Sequence, residues 1–206
     1  MFTLTNSHSF SKLTSLTSLT SSTNKKYTFV PKRNRKLVVH NNTDIFYQPK
    51  KVAILMGSPN DYIKMKSAKE TLLEMGLEPD VRVMSAHRQP YEVAKLAKAV
   101  RDDGYAAVIC GAGMAAHLAG VVAAHTTLPV VGVPLSSSSL HGMDALYSTV
   151  QMPKGIPVAT VAIDNSENAA LLVAHMLSIT NKEIAEKLND RRQTQREVLN
   201  KVQLKE

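Results

Sequence analysis

Cysteine is nearly missing from this chain of 206 residues, and the single thiol, Cys110, can form neither an intrachain disulfide nor a two-thiol zinc site. Long apolar runs are missing too. No stretch approaches the roughly 18 consecutive apolar residues of a membrane helix, so no membrane span is expected. Seven histidines are present, but none falls in an H-E-x-x-H or comparable spacing, which leaves no metal site to predict. Acidic residues are absent before Asp44: residues 1–50 carry eight Lys and Arg against that one Asp, and so hold +7 of the formal net charge of +8. The rest of the chain is close to neutral. A surface that tracks nucleic-acid phosphates needs its basic residues on the folded part, so a nucleic-acid partner is not expected.

The acid-free segment is rich in Ser and Thr, with the near-repeat "LTSLTSLTSS" and a basic patch "PKRNRK". It cannot bury a core. Its composition fits an organelle transit peptide, and a secretory signal would need an unbroken apolar stretch that is not there. Residues 1–49 are therefore read as a disordered, transit-peptide-like leader directing the protein to a plastid, with a mitochondrion as the alternative destination. A disordered extension of a cytosolic protein is the other alternative. Folding is expected over residues 50–206 as one domain.

From residue 50 the pattern alternates short apolar runs with longer amphipathic stretches. "KVAILMG" reads as a first strand and "DYIKMKSAKETLLEMG" as a helix stopped by Gly76; "DVRVMS" follows as strand two, and "PYEVAKLAKAVRDDG" as a helix with Pro90 in its first turn and Gly104 past its end. "AAVICGAG", "PVVGVP" and "PVATVAI" are strands three to five. "AAHLAGVVAAHT", "GMDALYSTVQM" and "SENAALLVAHMLSI" are helices, and a last, charged helix covers about 181–202. Continuous Val/Ile/Ala strands alternating with helices predict a parallel sheet covered on both faces. The fold class is α/β, a three-layer doubly wound sheet of flavodoxin-like or Rossmann-like type with an extra C-terminal helix.

In such sheets ligands bind beyond the carboxyl ends of the strands. Those ends carry "GSPND", "SAHR", "GAGMAAH" and "PLSSSSLHG". Gly57 lets the backbone approach a ligand, Ser58 adds a hydroxyl, and the start of the first helix offers N–H groups to an anion. "GSPND" lacks the G-K-[ST] of a triphosphate loop, so ATP is not indicated. "GAGMAA" has dinucleotide-type glycines but follows the third strand, outside the required context, so a nicotinamide cofactor is not indicated either. Arg88 suits a phosphate because its planar fork matches two oxygens at once, and His87 beside it is of the one residue type that ordinarily carries a proton near neutrality. His117, at the mouth of the third helix, is divided evenly between ligand contact and packing at the helix end. His141 is read as a solvated or gating loop residue, His125 and His175 as packing or surface residues, and Cys110 as a small buried apolar side chain.

The stretches "MGSPND", "VMSAHRQP", "GAGMAAHLAG", "LPVVGVP" and "LYSTVQMPKGIPVAT" stand in the order and spacing of a known family. Over about residues 51–200 the chain resembles the PurE-type carboxylases of purine biosynthesis, the phosphoribosylaminoimidazole carboxylases or N5-carboxyaminoimidazole ribonucleotide mutases. "VQMPKGIPVAT" is similar to the class I, mutase-type members. The resemblance implies a carboxylate transfer from N5 to C4 of an aminoimidazole ribonucleotide, without ATP, biotin, metal or any other cofactor. It implies that His87 is the catalytic histidine, that Ser58, Asp61 and Arg88 contact phosphate and ribose, and that backbone around Ala112 and Gly113 contacts the ligand. Gly57, Ser85 and His117 complete the substrate-binding set on the shared strand edge. The resemblance further implies a homo-oligomer, an octamer with sites at subunit contacts, and a functional partner, an ATP-dependent synthetase, that supplies the N5-carboxylated substrate. The chain departs from the family pattern with Asn60 and Ala145 for serine, Met114 for glycine and Ala119 for proline. A direct CO2-dependent carboxylase and a non-catalytic binding module for ribonucleotide phosphate remain the alternative readings.

Overall fold

The first strand already displays the logic of the sheet. In β1 (Lys51–Met56) Val52, Ile54 and Met56 face one layer while Ala53 and Leu55 face the other, and all five are buried. A strand alternates its side chains, so apolar residues at every position require cover on both faces. The computed structural model describes residues 49–137 and 139–202; the leader over residues 1–49 thus lies outside the described residues except for Pro49. The remaining strands are β2 (Glu78–Val83), β3 (Tyr105–Gly113), β4 (Val130–Leu135) and β5 (Ala159–Thr160). All pairings are parallel and the order is β2-β1-β3-β4-β5.

Helices α1 (Tyr62–Glu74) and α5 (Ser166–Ser178) cover the face that holds Val52, Ile54 and Met56. Helices α2 (Pro90–Ala99) and α3 (Leu118–Ala123) cover the opposite face. Helix α4 (Met143–Val150) joins α3 there, its Thr149 lying so close over Gly132 that a Cβ on that glycine would meet the threonine methyl at 2.3 Å. Helix α6 (Lys182–Lys201) packs outside α5 through Ile184 and Leu188. Its Arg191 is ion-paired with Glu74 of α1 and Glu167 of α5. Cys110 is buried in β3, and burial pushes its thiol up, as expected of a small apolar filler.

Helix ends follow local chemistry. Gly76 adopts φ +77°, and the amides of Gly76 and Leu77 bond back to Leu73 and Leu72, a left-handed stop that a residue with a Cβ would resist. Gly104 ends the turns after α2 in the same way. Two elements are shorter than the sequence suggests. Strand β5 pairs only at Ala159 and Thr160 against an expected span of 157–163, because only Val131 and Gly132 of β4 pair with it. Helix α3 begins at Leu118 instead of 115, because the chain leaving β3 first passes through a left-handed residue, Met114. That delay leaves 114–117 as a loop on the sheet edge.

Candidate active site

The loop after β1 enters α1 through a short 3-10 turn, Pro59–Asp61. Ser58 caps it: the Asn60 amide donates to Ser58 Oγ at 3.3 Å, and the Ser58 amide donates to Asp61 Oδ2 at 3.0 Å. This corrects one expectation. Two amides read as free for an anion are taken up by side chains of the same turn, and one of those side chains is a carboxylate. Burial pushes the Asp61 carboxyl above its ordinary range, although the Ser58 amide and the charges of Lys64 and Arg88 pull the other way. Anion binding at this end therefore falls mainly to Arg88 and the Ser58 hydroxyl.

After β2 the loop 84–89 is tied to itself. Ser85 Oγ accepts from both the Arg88 amide and Arg88 Nε at 3.3 Å, the Gln89 amide donates to the Ser85 carbonyl at 2.8 Å, and the Ser85 amide donates to Gln89 Oε1 at 3.2 Å. The other arm of the Arg88 guanidinium donates to the Gly57 carbonyl, linking the ends of β2 and β1. His87 turns the other way. Its Nε2 lies 2.9 Å from His117 Nδ1, with the rings edge to face at 5.0 Å between centroids. One of these two nitrogens must carry the shared proton.

The end of β3 supplies the floor. A Cβ on Gly113 would come within 1.9 Å of Ser137 Oγ, so only glycine lets β3 and the loop after β4 lie this close. Met114 follows at φ +54°, a backbone that costs a residue with a Cβ about 1–2 kcal/mol. Its carbonyl accepts from Ser148 Oγ of α4 at 3.2 Å.

All nine residues picked from the sequence line one open cavity of about 510 Å³ at the carboxyl edge of the sheet. His117 is among them, which decides its even division in favour of the cavity. Sequence reasoning missed Ser137, a member of an undifferentiated serine run, and Gln89, whose role depends on a turn no periodicity reveals. His141, at φ +52°, does not line the cavity.

A second missed cluster braces the loop after β4. Asp164, at φ +59°, accepts from the Ser136 amide at 2.8 Å and from its hydroxyl, while Lys64 of α1 bonds both Ser136 and Asp164, the latter at 3.1 Å. Burial pushes the Asp164 carboxyl up, but the bonds from Ser136 and Lys64 outweigh it and hold the group below its ordinary value of 3.8. A depressed carboxylate stabilises the fold above that value, and its contribution is lost as pH falls through the lower folded-state value. Asp164→Asn should thus melt at a lower temperature than the wild type at pH 7, with the gap closing toward pH 3. Melting curves at both pH values check this, and a gap of equal size at pH 3 would show that the charge is not what the brace uses.

A family profile described as AIR carboxylase matches residues 51–198. Over 154 residues the chain is 48% identical to the N5-carboxyaminoimidazole ribonucleotide mutase of Thermotoga maritima, covering 74% of this chain and 90% of that protein. It is 45% identical over 148 residues to a protein of Vigna aconitifolia named phosphoribosylaminoimidazole carboxylase, chloroplastic, covering 72% of this chain but 27% of that longer one. Among solved structures, Treponema denticola PurE superposes with a TM-score of 0.67 at 31% identity, covering 72% of this chain and 93% of that one.

Proposed function

The chain belongs to the AIR carboxylase family, and on that basis we propose that it performs the mutase reaction, moving a carboxylate from N5 to C4 of aminoimidazole ribonucleotide. It is an enzyme of purine biosynthesis, like its named relatives. The observation that carries the finer reading is the split of neighbours in "SAHR": Arg88 turns toward Gly57 and Ser58, while His87 turns toward His117. A cation for the phosphate and an imidazole for the ring then stand at different ends of one cavity.

In this reading Arg88 exchanges its bond to the Gly57 carbonyl for phosphate oxygens, with Ser58 adding a hydroxyl. Asp61, a poor neighbour for phosphate, accepts a ribose hydroxyl. Backbone at Ala112 and Gly113 lies against the ring, and Ser85 and Gly57 hold Arg88 in place. The N5–carboxyl bond breaks to give CO2 and an amine that takes up a proton. Carbon C4 then attacks the CO2, and its proton leaves to His87, which acts as base there and as acid in the first step.

The deciding experiment supplies the purified protein with the N5-carboxylated ribonucleotide alone, and separately with the uncarboxylated ribonucleotide and concentrated bicarbonate. Turnover of the first without added bicarbonate is expected. A protein active only in the second mixture would be a direct carboxylase, the reading favoured by the name of the Vigna relative. One inert in both would be a binding module.

Three further features belong to the proposal. The leader directs the protein to a plastid, supported by its composition and by the chloroplastic relative; a fused reporter left in the cytosol would refute that. A homo-oligomer, with eight subunits as the family resemblance implies, is supported by exposed apolar side chains on α4 (Met143, Tyr147, Val150) and late α6 (Val198, Leu199); a monomer by light scattering would refute it. An ATP-dependent synthetase supplies the substrate, because forming a carbamate from a weakly nucleophilic amine requires activation for which the family reaction has no cofactor. Flux from the amine that needs no ATP would refute that.

A further inference from the structure

Of the three residues other than glycine at positive φ among the described residues, Met114 is the least suited to it. Asp and His enter the left-handed region comparatively often, and Asp164 is held there by Ser136 and Lys64. Met114 has no short polar side chain to compensate. A strained residue persists where its surroundings fix it, and such residues cluster at functional sites. Here Ser148 holds the Met114 carbonyl, and the side chain lines the cavity while 59% exposed. The loop it stands on also carries His117, the partner of His87. The thioether is therefore placed at the reacting end of the cavity, away from Arg88 and Gly57.

We infer that Met114 seals that end over the bound ribonucleotide and sets how much of the released CO2 is recaptured by C4 instead of escaping to solvent. The inference rests on the mutase reading and adds to it a residue that governs commitment. Carbon dioxide is neutral and has little for polar groups to grip, so it is retained by confinement. The mouth of the cavity is open, with His87, Arg88 and His117 all exposed. An unbranched, polarizable side chain with three rotatable bonds can close over a flat ring and still let it leave. When closure fails, the carbamate takes up one proton, its N5–carboxyl bond breaks, and the free amine and CO2 diffuse away with no new bond at C4.

The test compares wild type, Met114→Gly and Met114→Leu, using the N5-carboxylated ribonucleotide and counting C4-carboxylated product against free amine formed above the enzyme-free rate. Glycine accepts the positive φ, so that variant keeps the backbone. A several-fold rise in the ratio of lost to transferred CO2 is expected for Met114→Gly, with return toward the wild-type ratio in Met114→Leu. An unchanged ratio in Met114→Gly, including one accompanied by altered melting or assembly, overturns the inference while leaving the mutase reading intact. A wild type that transfers no carboxylate overturns both.

Discussion

Replacing His87 by asparagine is expected to lower turnover at least ~100-fold, the lower end of what positioned acid-base groups contribute, while ligand affinity and melting temperature stay near wild type. Asparagine keeps a polar side chain of similar reach but cannot shuttle a proton. His87 is exposed at the cavity mouth and fills no core space, so its loss has no packing consequence. His117→Asn is the informative companion, because His117 holds the His87 Nε2 at 2.9 Å. Loss of one neutral hydrogen bond is worth roughly 0.5–1.5 kcal/mol, so its effect on turnover should stay near tenfold or below. Turnover and affinity measured for both variants decide the matter. Equal losses in the two would show that the pair acts as a unit; equal loss of affinity and turnover in the His87 variant would reduce His87 to a positioning role.

Arg88→Lys should weaken ribonucleotide binding by about 1.5–3 kcal/mol, the scale of a charged hydrogen bond, which is roughly a 10- to 150-fold rise in dissociation constant. A lysine ammonium is a point charge and cannot reproduce the planar fork. The free protein shows a second reason. Arg88 Nε rests on Ser85 Oγ while another guanidinium nitrogen reaches the Gly57 carbonyl, so one side chain aligns the loops that end β1 and β2. Lysine can hold only one of them at a time. Titration calorimetry with the ribonucleotide is the measurement, and an affinity within twofold of wild type would place the phosphate elsewhere.

Much of this molecule is legible in local windows. The double-sided burial of β1 follows from Val, Ala, Ile, Leu and Met at every position, and the helix stops at Gly76 and Gly104 follow from the one residue that tolerates their positive φ. Alternation of strand and helix then forces a parallel sheet, and a parallel sheet gathers the strand ends on one edge. That is why His87, Arg88, Ser58 and Gly113 could be named together from residues dozens of positions apart.

The contacts that define the site are of another kind. That His87 meets His117, that the Ser58 amide faces Asp61 instead of open space, that Gly113 must clear Ser137, and that Lys64 reaches Asp164 across 100 residues all depend on which strands are neighbours. Periodicity and turn chemistry are properties of a few consecutive residues, and they set the elements. The order β2-β1-β3-β4-β5 is fixed by the mutual burial of the assembled layers. Only that order brings the loop after β3 between those after β1 and β4, so the identity of the edge residues belonged to the sequence and their pairing to the tertiary fold.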